Sequence, residues 1–247
     1  MNQFHNFALR KIFVKNMAEK EKSGVEIIES AEALQKEFNK AEGFLKNNQK
    51  VLLIAGVAII AAVAGFFGYN YYNDSQNEAA QVAMYDAVYA FEADSLNQAL
   101  NGTGGNEGLL SIAENYAGTK AGKLANFYVG IIYMKQAKYD EAIVAFEKFS
   151  SDDAILQSKA YALIGDANVE KKNLEQAITF YQKAASHKPN KFFTPVYLSK
   201  LAAVYTESKK INEAIDTYKT IIEEYATSTE AVNAKKYKAR LEATIGE

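Results

Sequence analysis

The stretch Val51–Tyr69, VLLIAGVAIIAAVAGFFGY, holds 19 residues without a charge, an Asn, a Gln or a Pro. As a helix rising ~1.5 Å per residue it measures about 28 Å, close to the ~30 Å hydrocarbon thickness of a bilayer. Ten of its side chains are Val, Leu, Ile or Phe, each favouring insertion by roughly 0.3–0.6 kcal/mol near the helix centre. Lys46 and Lys50 precede the run, and Tyr69, Tyr71 and Tyr72 close it, where amphipathic rings favour the headgroup level. A transmembrane helix over 51–72 is expected. Ala62-Val63-Ala64 has the small-x-small form of a cleavage site, but a signal peptide has a short basic head and an apolar core of roughly 7–15 residues. Some 50 residues precede this longer run, which reads as an uncleaved signal anchor. Inside it Ala58, Ala61, Gly65 and Gly68 share a face at spacings of 3, 4 and 3, a small-residue packing face for a second transmembrane helix.

Charge sets the expected orientation. Residues 1–50 carry nine Lys+Arg, whereas residues 70–119 carry none against seven Asp+Glu. Basic residues near a span stay in the cytoplasm, so the first 50 residues are expected inside and the remainder outside. The chain has no Cys, which excludes disulfides and thiol chemistry and suits a bacterial envelope. The expectation is a single-pass protein of the bacterial inner membrane with a periplasmic C-terminal domain. A net charge of −2 over 247 residues gives no basic surplus for nucleic acid.

Ahead of the span, Met1–Asn16 has three bases and no acid and reads as a flexible tail, or as an extension before a start at Met17; the tail is taken to residue 24. Over 25–50, Ile27, Ala31, Leu34, Phe38, Ala41 and Leu45 recur at spacings of 4, 3, 4, 3 and 4. This heptad seam on a cytoplasmic amphipathic helix calls for a partner helix or the membrane surface. After the span, Asn73–Ala99 reads as a helix, and NGTGGNEG (Asn101–Gly108) as a loop without the Gly-Lys-Ser/Thr ending of a phosphate cradle.

The remainder repeats itself. Gly130-x2-Tyr133…Ala142-x3-Phe146 is followed by Tyr161-x2-Ile164-Gly165…Ala177-x3-Tyr181…Pro189, then by Leu198-x2-Leu201-Ala202-x2-Tyr205…Ala214-x3-Tyr218. The Ala142–Ala177 and Ala177–Ala214 offsets are 35 and 37 residues, matching the tetratricopeptide unit of about 34 residues. The expected fold is all-α: one N-terminal transmembrane helix, then a tetratricopeptide α-solenoid over 120–247. Two segments echo one another, Tyr116-Ala-Gly-Thr119-x2-Gly122 and Tyr225-Ala-Thr-Ser228-x2-Ala231, with Thr119 and Ser228 placed as helix N-caps. Residues 73–119 therefore read as a degenerate first repeat, and the end of the chain as a capping helix.

A cytoplasmic head, one signal anchor and an external repeat domain together resemble the YfgM family of bacterial inner-membrane proteins. The VEIIESAEALQKEFNKAEGFLKNNQK block with the span, and KPNKFFTP at 188–195, look like its Bacteroidota branch. That resemblance implies an ancillary subunit of the SecYEG translocon working with a PpiD-like chaperone and exported chains. Two other readings stand beside it: a cell-envelope division or outer-membrane assembly coordinator, and a membrane adaptor that self-associates through the seam and the small-residue face.

No catalytic, metal or cofactor set can be assembled. His5 and His187 are the two histidines, and the expected topology separates them, so the chain reads as a non-enzyme with no small-molecule substrate. By repeat register, the first helices present Phe127, Ile131 and Met134, then Lys159, Asp166 and Glu170, then Ser199 and Ala203 to the concave side. That mixed groove suits an extended or partly folded polypeptide.

Overall fold

In the computed structural model, residues 31–245 are described. They fall into two units divided between Tyr69 and Asn70. The first holds α1 (Ala31–Asn47) and the opening part of α2 (Gln49–Glu92). Asn48 alone separates the two helices, its side chain donating to Phe44 O at 2.9 Å. The seam residues Leu34, Phe38 and Leu45 are 52, 75 and 54% exposed; Ile27 lies outside the described residues. Salt bridges Lys40–Glu37 and Lys46–Glu42 are exposed on the same helix and add little.

The run Val51–Tyr69 is wholly helical and none of it is buried. Its helix is long and apolar enough to cross a membrane. Leu53, Ile60 and Phe66 are among its exposed side chains, and open space lies beside Gly65 and Gly68. The helix does not stop at 72: it continues unbroken to Glu92, where the sequence pattern suggested a separate helix over 73–99. That expected helix is cut short because Asp94 takes a left-handed φ of 55° before α3 (Leu96–Asn101) begins.

Beyond α3 comes a structure that the Gly-rich stretch hid. Strands β1 (Gly102–Thr103) and β2 (Asn106–Glu107) form an antiparallel hairpin, with Thr103 opposite Asn106. Gly104 and Gly105 turn it with φ of +63° and +93°, the paired positive angles that two-residue hairpins require. Asn106 Nδ2 donates to Asp86 Oδ2 at 2.7 Å and ties the hairpin to α2.

Eight further helices follow, each packed against the next: α4 (Leu109–Asn115), α5 (Lys120–Lys135), α6 (Tyr139–Lys148), α7 (Ala154–Glu170), α8 (Leu174–Ser186), α9 (Thr194–Glu207), α10 (Ile211–Glu224) and α11 (Thr229–Ile245). The caps follow the sequence. Thr119 Oγ1 accepts from Gly122 N at 2.9 Å, Ser228 Oγ from Ala231 N at 3.2 Å, and Asp153 Oδ1 from Ile155 N and Leu156 N at 2.8 and 3.0 Å. Each satisfies amide donors that a helix start leaves free. The core runs as linked clusters, one around Leu109, Ile112 and Ile132, the next around Phe146 and Ile164, the next around Tyr181 and Leu201.

Candidate functional site

One turn recurs four times through the second unit, joining α2 to α3, α5 to α6, α7 to α8 and α9 to α10. Asp94, Ala137, Lys172 and Lys209 have φ of 55°, 57°, 61° and 60°. Just after each, a backbone amide reaches back to close the preceding helix: Ser95 N to Ala90 O, Lys138 N to Tyr133 O, Asn173 N to Asn168 O and Lys210 N to Tyr205 O, all at 2.8–2.9 Å. This is the left-handed helix stop with a six-to-one bond.

The same register brings a small residue of the first helix under an aromatic of the second. A Cβ on Gly130 would lie 2.6 Å from the Phe146 ring, and one on Gly165 would lie 2.7 Å from the Tyr181 ring. In the next pair Ala202 takes the small position, fully buried in one cluster with Tyr218. Aromatic packing continues along the stack, with Phe127 and Phe149 rings at 5.0 Å and Phe127 and Phe146 at 5.7 Å.

These contacts decide where the sequence-chosen groove residues lie. Phe127 is core, 6% exposed. Ile131 and Met134 are half-buried against the Phe146 and Ile164 cluster, because the next first helix, α7, covers that side of α5. Lys159 and Glu170 are exposed, Glu170 within 3.5 Å of the Tyr139 hydroxyl. Asp166 is engaged: Lys200 Nζ donates to its two oxygens at 2.6 and 2.7 Å, and the Tyr181 hydroxyl donates to Oδ1 at 2.5 Å. Burial, then the Asp166 charge, push the Tyr181 phenol far above its ordinary value. Tyr197 is raised by burial and by Asp166, and Tyr218 by burial and by Tyr237.

Ser199 and Ala203 do share an opening. With Val196 and Lys200 they form one wall of a groove of about 860 Å³, whose other wall is Tyr237, Arg240, Leu241 and Thr244 of α11. Among the described residues α11 stands opposite this side of α9, and the space between them stays open. Sequence reasoning treated α11 as a cap and missed its wall, although Tyr237, Leu241 and Thr244 fall at helical spacings of 4 and 3. The eight chosen residues thus form no single site; two line this groove. His187 packs edge-on to Tyr161 with centroids 5.9 Å apart. Among the described residues no three His, Asp or Glu side chains converge on a metal position.

Comparison with known proteins agrees with this register. Residues 158–191 and 197–228 each match a model of the tetratricopeptide repeat family. A curated relative, the uncharacterized protein ycf37 of Guillardia theta, is 27% identical over 118 residues, a match covering 46% of this chain and 65% of that protein's length. Such repeats are generally non-catalytic scaffolds for protein–protein interaction. The chain contains tetratricopeptide repeats.

Proposed function

We propose that this chain is a non-catalytic, single-pass membrane adaptor whose repeats hold polypeptides on the far side of the bilayer from its N-terminus. The observation that carries this reading is Val51–Tyr69, an apolar helical run without one buried residue joined to a repeat unit. Leaving ten large apolar side chains in water forfeits roughly 1.5–3 kcal/mol each, whereas a bilayer covers them. The basic excess before the run and its absence after it orient the N-terminus towards the cytoplasm. Residues 73–119 serve as a degenerate first repeat, a role that the shared turn at Asp94 supports. The open groove of α9 and α11 is the polypeptide-binding surface, its aromatic and guanidinium groups suiting an extended chain.

The resemblance to the YfgM family supplies the neighbours: the SecYEG translocon beside the seam and span, and a PpiD-like chaperone or exported chains at the repeats. Photo-crosslinkers at Phe38, Ala61 and Ala203, with the exposed turn residue Lys172 as control, read these contacts separately. Translocon adducts are expected from Phe38 and Ala61, and chaperone or exported-chain adducts from Ala203 but not Lys172. Silence at Phe38 and Ala61 removes the translocon and favours the envelope coordinator. Adducts only between copies of this chain establish the self-associating adaptor instead, a reading that the exposed seam and the open space beside Gly65 and Gly68 also support.

A further inference from the structure

Within the second unit α2 carries two apolar faces. Ala80, Met84, Ala87 and Ala90 are buried against the repeats. The other face reads Glu78, Val82, Tyr85, Tyr89 and Glu92 at spacings of 4, 3, 4 and 3, and its three apolar members are 78, 75 and 69% exposed. Tyr85 and Tyr89 also line a groove of about 640 Å³ between α2 and the start of α5, where Leu124 and Tyr128 form the opposite wall.

We propose that this face docks an amphipathic helix of a partner protein whose apolar stripe is bracketed by Lys or Arg. The spacing of the stripe is that of helix-on-helix recognition. Its charge identifies the occupant: residues 70–119 hold seven acids and no base. Glu78 and Glu92 join no salt bridge among the described residues. They stand about 21 Å apart at ~1.5 Å per residue, so the partner's bases belong near the two ends of a four-turn helix. A second copy has the wrong chemistry. An antiparallel pair centred on Tyr85 sets Glu78 across from Glu92, and a parallel pair sets each Glu against itself. An anionic lipid surface meets the same repulsion. Lys120, which also lines the groove, belongs to α5 and not to the stripe.

The test uses the full chain in zwitterionic nanodiscs and two labelled 18-residue helical peptides with one shared Leu/Phe stripe, one ending in Lys pairs and the other in Glu pairs. The Lys peptide binds at least tenfold tighter at low salt, and the gap closes in high salt. Glu78→Lys with Glu92→Lys reverses the preference. Tyr85→Ala with Tyr89→Ala weakens both peptides about tenfold while the helical circular dichroism holds, since these side chains are exposed. Phe192→Ala, at an exposed aromatic outside both this groove and the C-terminal one, leaves both affinities unchanged. Equal affinity for the two peptides, or Lys-peptide binding that survives the double Tyr substitution, overturns the proposal. So does competition by a second copy of the chain or by anionic vesicles.

Discussion

Gly165 lies so close beneath the Tyr181 ring that a Cβ would stand 2.7 Å from Cε1 and 2.8 Å from Cδ1. The ring cannot swing clear cheaply: it is 3% exposed, and its hydroxyl is bound to Asp166 at 2.5 Å. Gly165→Ala in an open helix would gain about 1 kcal/mol of propensity. Here overpacking of roughly 1–3 kcal/mol opposes that gain, so a net loss of up to about 2 kcal/mol is expected, and a larger one for Gly165→Leu. Urea unfolding measures it, and unchanged or raised stability would show that the helix pair is spaced differently. Ala202 holds the equivalent position beside Tyr218, so the steric limit belongs to the Gly165 and Gly130 pairs.

The three side-chain caps make a matched set. Thr119→Ala, Ser228→Ala and Asp153→Ala should each cost about 0.5–2 kcal/mol. Asp153 should be among the costlier, because one oxygen accepts two amides. Asp153→Asn keeps an acceptor and should recover most of the loss. Thermal melts check the order; an Asn variant as weak as the Ala variant would assign the effect to charge at the helix start.

Alkaline pH should loosen the repeats through their buried phenols. Tyr181, Tyr197 and Tyr218 are all raised above the ordinary 10.0, in each case first by burial. Below pH 10 folded and unfolded chains both keep these protons. Above it the unfolded chain releases protons that the folded chain retains, so stability falls as pH rises, by about 1.4 kcal/mol per pH unit for each phenol held neutral. The melting temperature should hold level up to about pH 10 and then decline. Tyr181→Phe should make that decline shallower, and Asp166→Asn should let Tyr181 ionise at lower pH in a tyrosinate absorbance titration. A Tyr181→Phe profile parallel to the parent's would remove this phenol from the linkage.

Local chemistry explains what the sequence revealed and what it withheld. The helix pairs were legible because Gly130, Gly165, Phe146 and Tyr181 must alternate small and large where helices cross, and the caps were legible because Thr119 and Ser228 sit at fixed offsets from the helix starts. The hairpin at Gly102–Glu107 was not, since four-residue pairing leaves too short an alternation to read. The residues expected in the groove are separated for a different reason. Phe127, Ile131 and Met134 occupy the same register as Ser199, Ala203 and Thr206, but the first three pack in one cluster with Ala160 and Ile164 of α7, whereas the second set lines the open groove. Register fixes which way a side chain faces; the neighbouring helix fixes whether it stays open.

Orientation across a membrane yields the sharpest expectation for the whole chain. Nine bases precede Val51, and the first base after Tyr69 is Lys120. Moving the repeats inside would carry that basic flank outward against the positive-inside bias. A reporter active only outside the cytoplasm, fused after Glu247, should therefore be active, and its cytoplasmic counterpart silent. Replacing Lys36, Lys40, Lys46 and Lys50 with Gln while adding four Lys between Asn70 and Ser75 should shift some of the population to the opposite orientation, because the rule counts bases close to the span. If the parent fusion is active only in the cytoplasm, the repeats meet cytoplasmic polypeptides and the translocon-exit reading fails. If neither fusion associates with membranes, Val51–Tyr69 needs a protein partner to cover it.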